Sequence, residues 1–151
     1  MPQDHPTKTI FSGVFERALD EKNRVTIPAK WMTEGEACFY LAPGAQKKFL
    51  MVLPPAEFIG IENRIMEGST KSLAEKRAAV QHFQRATEEA NVDKQGRMLL
   101  PERLTKEFDL SKDVMLIGNK ERFEIWNTQK WQEFEQANAA IFEAVAEEIG
   151  L

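Results

Sequence analysis

Residues 19–31 read LDEKNRVTIPAKW, and residues 92–104 read VDKQGRMLLPERL. Laid together, Asp20 meets Asp93, Arg24 meets Arg97, Pro28 meets Pro101 and Lys30 meets Arg103, each pair 73 positions apart. A shared period of this size marks two copies of one supersecondary unit. Every other segment is placed relative to them.

Working outward, each copy reads as two hairpins around a short helix, followed by a longer helix, an α+β arrangement. In the first copy Phe11–Leu19 is a strand, Asp20–Asn23 a polar turn and Arg24–Ile27 the return strand. Pro28 suits a helix start, where its missing N–H costs nothing, and Ala29–Met32 follow as a short helix. Ala37–Leu41 and Phe49–Leu53 are rich in β-forming residues around a Pro43–Gly44 turn. The second copy repeats the order: a turn at Asp93–Gly96, a strand at Arg97–Leu100, a short helix in PERLTKEF, then strands Val114–Ile117 and Arg122–Trp126. In the last helix Trp131, Phe134, Ile141, Phe142, Val145 and Ile149 form one apolar stripe, with Asn127 or Thr128 to cap it and Gly150 to end it. Ser72–Thr87 is a polar, Ala-rich helix between the copies. The expected boundaries are a first repeat at 11–68, a connecting helix at 69–87, and a second repeat with its C-terminal helix at 88–151.

At 151 residues, 42% hydrophobic and 29% charged, the composition is that of an ordinary globular chain. A single cysteine, Cys38, excludes an intramolecular disulfide and a multi-cysteine zinc site and fits a reducing cytoplasm. No apolar run approaches the roughly 18–20 residues that span a bilayer. The opening MPQDHPTKTIFSG has no signal-peptide apolar stretch and is expected to fray. Net charge is −4, an unusual sign for a nucleic-acid binder. Its distribution matters more: residues 127–151 hold Lys130 against Glu133, Glu135, Glu143, Glu147 and Glu148, so the remainder of the chain is neutral and its basic loops stand out.

The two Asp-x-x-x-Arg turns are the candidate site. An Asp opening a tight turn accepts backbone N–H groups a few residues on, and Asn23 or Gly96 tolerates positive φ, so Asp20, Asn23, Asp93 and Gly96 are assigned to the turns themselves. On a purely structural reading Arg24 only pairs with Asp20. On the functional reading the first hairpin presents Arg17, Lys22, Arg24 and Lys30 within fourteen residues. A twisted β-ribbon so equipped enters a DNA major groove, where Arg reads guanine and Lys meets phosphate. Arg97 and Lys94 are the candidates in the second turn. Alternation separates the copies: Val25 and Ile27 face a core while Arg24 and Thr26 face out, whereas Met98, Leu99 and Leu100 predict a strand at Arg97 that is apolar on both faces.

Enzyme readings find little support. His5 and His82 are far apart in sequence, and His82 lies on the polar connecting helix, where solvation is the default. Cys38 reads as a small buried hydrophobe. There is no phosphate-cradling glycine loop, metal-binding His-Glu helix or G-x-S-x-G elbow. No catalytic residue, metal or cofactor is expected.

These residues carry a resemblance. The paired motifs at Asp20/Arg24 and Asp93/Arg97, the prolines four residues after each Arg, and the segment VMLIGNKERFEIW (114–126) resemble the MraZ family, bacterial regulators associated with the division and cell-wall gene cluster. The resemblance runs from about Phe11 to Phe134. It implies an AbrB-like swapped-hairpin β-barrel unit present twice, flanked by amphipathic helices. It also implies ring-shaped homo-oligomers, a cytoplasmic and nucleoid-associated protein, and transcriptional control through short direct repeats in double-stranded DNA upstream of its own operon. By residue, the DNA-contacting role carries over to Arg24, then Lys22, then Arg97. Two features depart from the family pattern: Asn23 replaces a glycine, and residues 1–10 form a longer N-terminal extension. The alternative is a structural, ring-forming assembly protein whose Asp-x-x-x-Arg turns only stabilise the fold.

Overall fold

The computed structural model describes residues 9–32 and 38–151. His5, most of the N-terminal extension and Ala37 lie outside the described residues. The chain order is β1 (Val14–Ala18), β2 (Arg24–Thr26), a 3-10 turn (Ala29–Trp31), β3 (Cys38–Pro43), a second 3-10 turn (Ala45–Lys47), β4 (Leu50–Leu53), α1 (Pro55–Gly68) and α2 (Leu73–Ala86). It continues with β5 (Glu88–Asn91), β6 (Arg97–Leu99), α3 (Glu102–Glu107), β7 (Asp113–Asn119), β8 (Arg122–Asn127) and α4 (Thr128–Ile149).

Local chemistry explains the helix ends. Ser72 and Glu75 exchange hydrogen bonds as a capping box at the start of α2. The Asn127 side chain accepts the Lys130 N–H at the start of α4, and Gly150 closes that helix in the left-handed region at φ 76°.

The strands form a six-stranded antiparallel sheet, ordered β1-β7-β8-β4-β3-β5, and a separate two-stranded ribbon, β2-β6. The pairings repeat between the halves of the chain. Phe15 stands opposite Leu116 and Arg17 opposite Val114; moved 73 positions forward on one strand and 75 back on the other, these become Glu88 opposite Leu41 and Ala90 opposite Phe39, which are also paired. On the ribbon Val25 faces Met98, and between β4 and β8 Met51 faces Glu124, each residue meeting its own counterpart 73 positions on.

Two expectations are corrected here. β1 and β2 are not a paired hairpin: their turn closes through Asp20 N–H to Arg24 O at 3.0 Å, but β1 pairs with β7 and β2 with β6. Nor does a barrel close among the described residues. β2 and β6 direct their ladder bonds to each other, so β1 and β5 remain the edges of the large sheet.

The core lies between sheet and ribbon. Phe11, Trp31, Phe39 and Phe123 are all buried and meet at ring separations from 4.8 Å (Trp31–Phe123) to 6.4 Å (Phe11–Phe39). Val25 and Met98, both fully buried, pin the inner face of the ribbon to this cluster. A smaller cluster of Met115, Ile117 and Trp126 lies under the first turns of α4.

Candidate nucleic-acid interface

The two turns are built alike. Asp20 Oδ1 accepts the N–H groups of Lys22 (2.9 Å) and Arg24 (2.8 Å), while Oδ2 accepts Arg24 Nε at 2.6 Å. Asp93 Oδ1 accepts those of Gln95 and Arg97, both at 2.9 Å, and Oδ2 accepts Arg97 Nε at 2.9 Å. Asn23 at φ 60° and Gly96 at φ 78° occupy the left-handed position of each turn. Each turn also receives a bond from the other half: Leu100 N–H to Asn23 O at 2.9 Å, and Ile27 N–H to Gly96 O at 2.8 Å. The backbone N–H of the partner arginine, foremost among these donors, holds both carboxyls below their ordinary 3.8, with partial desolvation opposing it.

Period-two alternation then places Arg24 and Thr26 of β2 and Arg97 and Leu99 of β6 on the outer face of the ribbon, opposite the buried Val25 and Met98. Arg24 faces Leu99 and Arg97 faces Thr26. The two arginines are thus diagonal neighbours, a relation that sets Cα atoms about 7–8 Å apart. Each guanidinium is held through Nε; among the described residues, neither arginine has a partner at Nη1 or Nη2.

The burial expected of the second strand is not found. Side-chain exposure is 29% for Arg24 and 30% for Arg97, and Leu99 is 53% exposed. Both strands have the same half-buried, buried, exposed pattern. Leu99 is apolar but lies on the face the ribbon turns outward, so its polarity misreports its side.

The other basic residues do distinguish the halves. Arg17 donates to Thr26 O at 3.2 Å and Glu16 O at 2.8 Å, and Arg17 and Lys30 both lie over the Phe15 ring, at 5.4 and 4.9 Å. Neither has a carboxylate partner among the described residues. In the second half Ala90 replaces Arg17, Glu88 replaces Phe15, and Arg103 replaces Lys30. There Arg103 is neutralised by Glu88 at 3.0 Å and Glu107 at 3.5 Å. Lys22 and Lys94 are exposed on their turns. Sequence reading did not identify Phe15 as the shared seat of two cations, although its pairing with Glu88 at the common offset was visible. Thr26 and Leu99 as members of the face were missed too.

Elsewhere Cys38 is half-buried rather than enclosed. Its Sγ lies 3.3 Å from Glu89 Oε1, and desolvation, followed by that carboxylate, pushes its thiol up to about 11, the opposite of the lowered value an activated thiol needs. His82 is exposed, as expected. Among the described residues no three His, Cys, Asp or Glu side chains converge as metal ligands. No described helix is long and apolar enough to cross a membrane.

Known proteins are similar to this chain over most of its length. The family model described as "MraZ protein, putative antitoxin-like" matches residues 83–150. A protein of Clostridium tetani named Transcriptional regulator MraZ is 35% identical over 144 residues, covering 93% of this chain and 96% of the relative. Its namesake in Natranaerobius thermophilus is 38% identical over 141 residues, with the same coverage. That of Symbiobacterium thermophilum is 33% identical over 138 residues, covering 91% of this chain and 99% of the relative.

Proposed function

The chain belongs to the MraZ family of transcriptional regulators, and on that premise we propose that its β2-β6 ribbon reads double-stranded DNA. The observation that carries the reading is the doubled clasp. Each Asp fixes one guanidinium through Nε and leaves the two terminal nitrogens, the pair that bonds guanine O6 and N7, on an exposed ribbon face. Preorganisation of this kind removes part of the ordering cost of binding. Lys22 and Lys94 would flank the groove as phosphate contacts, and Arg17 with Lys30 would supply a second phosphate seat beside Phe15. Residues 11–68 and 88–151, joined by the helix at 69–87, act in this reading as two AbrB-like swapped-hairpin units. The repeated register of β1 with β7 and of β5 with β3 supports it, because each half's first strand pairs with the other half's hairpin. In the cell the protein would be cytoplasmic and nucleoid-associated. It would assemble as a ring and regulate its own division and cell-wall operon through upstream direct repeats, with no catalytic step.

Titration of the DNA upstream of its own gene tests this. Arg24→Ala should weaken specific binding by about 1–3 kcal/mol per engaged subunit. Arg24→Lys, which keeps the charge but loses the fork, should recover little of that loss. Wild-type affinity in both variants would remove Arg24 from the interface. The clasp also suits a second reading, in which the turns only stabilise a ring-forming assembly protein. Lowered melting temperatures with unchanged DNA binding would select it.

A further inference from the structure

The C-terminal half of α4 is the largest feature that DNA reading leaves unused. Ile141, Phe142, Val145 and Ile149 share one helical stripe and are 58%, 63%, 45% and 67% exposed. The principal contacts of α4 are with β7 and β8, and its aromatic contacts with Trp126 come from Trp131 and Phe134 near the helix start. A contiguous run of large exposed apolar side chains marks a surface that a partner covers.

The first half of the chain shows the shape of the missing cover. α1 begins 73 positions before α4, so Phe58 stands where Trp131 does. α1 is not bare: α2 packs along it, and the Phe83 ring lies 5.7 Å from that of Phe58. Among the described residues nothing occupies the equivalent place beside α4. Charge identifies the occupant. Residues 127–151 carry −4, so a second α4 would bring like charge against like, and Glu135 and Glu148 border the stripe. Residues 71–87 carry Lys71, Lys76, Arg77 and Arg85 against Glu75, a net +3. The outward face of α2 shows small side chains between arginines: Ala74, Arg77, Ala78, Gln81 and Arg85 are all exposed.

We infer that α4 of one subunit lays its apolar face on α2 of the next, filling beside α4 the place that the chain's own α2 fills beside α1. The inference rests on the ring reading and deepens it by naming the surfaces that meet. The contact is heterologous, joining different patches of identical subunits, and such contacts propagate head to tail until the rotation closes.

Sedimentation velocity without DNA keeps the test separate from DNA recognition. Two variants carry it: Phe142→Glu in α4, and Arg77→Glu with Arg85→Glu in α2. Both alter exposed positions, and melting curves check that each still folds. Each alone should fall from the wild-type assembly to the 17.3 kDa subunit. Mixed, they should form a pair of about 35 kDa and nothing larger, because one intact α4 meets one intact α2 and both outer faces are blocked. Wild-type mass in Phe142→Glu would mean that something else, such as residues 1–8 of the same chain, covers the stripe, and would overturn the inference. So would an α2 variant that keeps the wild-type mass, or monomers that fail to combine. A wild-type protein that sediments as a monomer would overturn the ring reading, and this contact with it.

Discussion

Asp20 and Asp93 each gather two backbone N–H groups and one guanidinium Nε, at distances that agree between the turns within 0.3 Å. Equal geometry and equal exposure predict equal energetics. Arg24→Ala and Arg97→Ala should lower the melting temperature by the same amount within about 1–2 °C, each by a few degrees. Calorimetry of the two variants checks this, and a much larger loss for Arg97→Ala would restore the burial difference expected from sequence. Acid should act on both clasps together. Both carboxyls have folded pKa values depressed below 3.8, so they add stability that is complete above that value and is lost as pH falls through the lower folded one. Melting temperature should therefore drop between about pH 5 and pH 2, and the drop should shrink in an Asp20→Asn/Asp93→Asn variant. An identical acid limb in that variant would show that other carboxylates dominate. Sequence sufficed for the turns, because Asp at the first position and Asn or Gly at the fourth are local requirements. It failed for Leu99, whose side depends on how a three-residue ribbon docks on a distant core.

Strand β7 depends on close approach at one position. An added Cβ at Gly118 would lie 2.6 Å from the backbone of Phe11 and Ser12, where Gly118 N–H bonds Gly13 O and Lys120 pairs with Phe11. Gly118→Ala should force the segment before β1 away, pull Phe11 from its contacts with Trp31 and Phe123, and cost about 1–3 kcal/mol in denaturant unfolding. A loss below about 0.5 kcal/mol would mean that this edge yields freely. The same strand shows what local pattern cannot carry. Val114–Ile117 is legible as a strand from composition, as are the helix at Ser72–Thr87 and the Gly150 stop. That β7 takes β1 as a neighbour, and that β1 leaves β2, depends on pairing across about a hundred residues. No dipeptide or periodicity encodes such a choice.

Across the whole molecule, the outer face of the ribbon has near two-fold symmetry, since Arg24 and Arg97 exchange places about the Val25–Met98 pair. Alone, such a face would read a short site equally well in either direction. The flanks break that equivalence: among the described residues Arg17 and Lys30 of the first half have no carboxylate partner, while Ala90 and the Arg103–Glu88 pair stand in the second. On the proposed reading, phosphate contacts would then be lopsided, and a site would acquire a preferred orientation. In a head-to-tail ring every subunit presents that lopsided face the same way, which matches direct repeats rather than inverted half-sites. A subunit that offers only a few basic side chains to DNA and carries a net charge of −4 should bind one repeat weakly and with a shallow salt dependence. Once one ribbon is seated, the next binds at high effective concentration, so affinity should rise steeply with repeat number. Three direct repeats should therefore bind at least about 100-fold more tightly than one, and inverting the middle repeat should remove most of that gain. Fluorescence anisotropy with the three probes at fixed salt measures both effects. Equal affinity for one and three repeats would end the ring-reader mechanism. Indifference to inversion would instead leave the ring intact and show that the arginine pair alone, without Arg17 and Lys30, sets the reading.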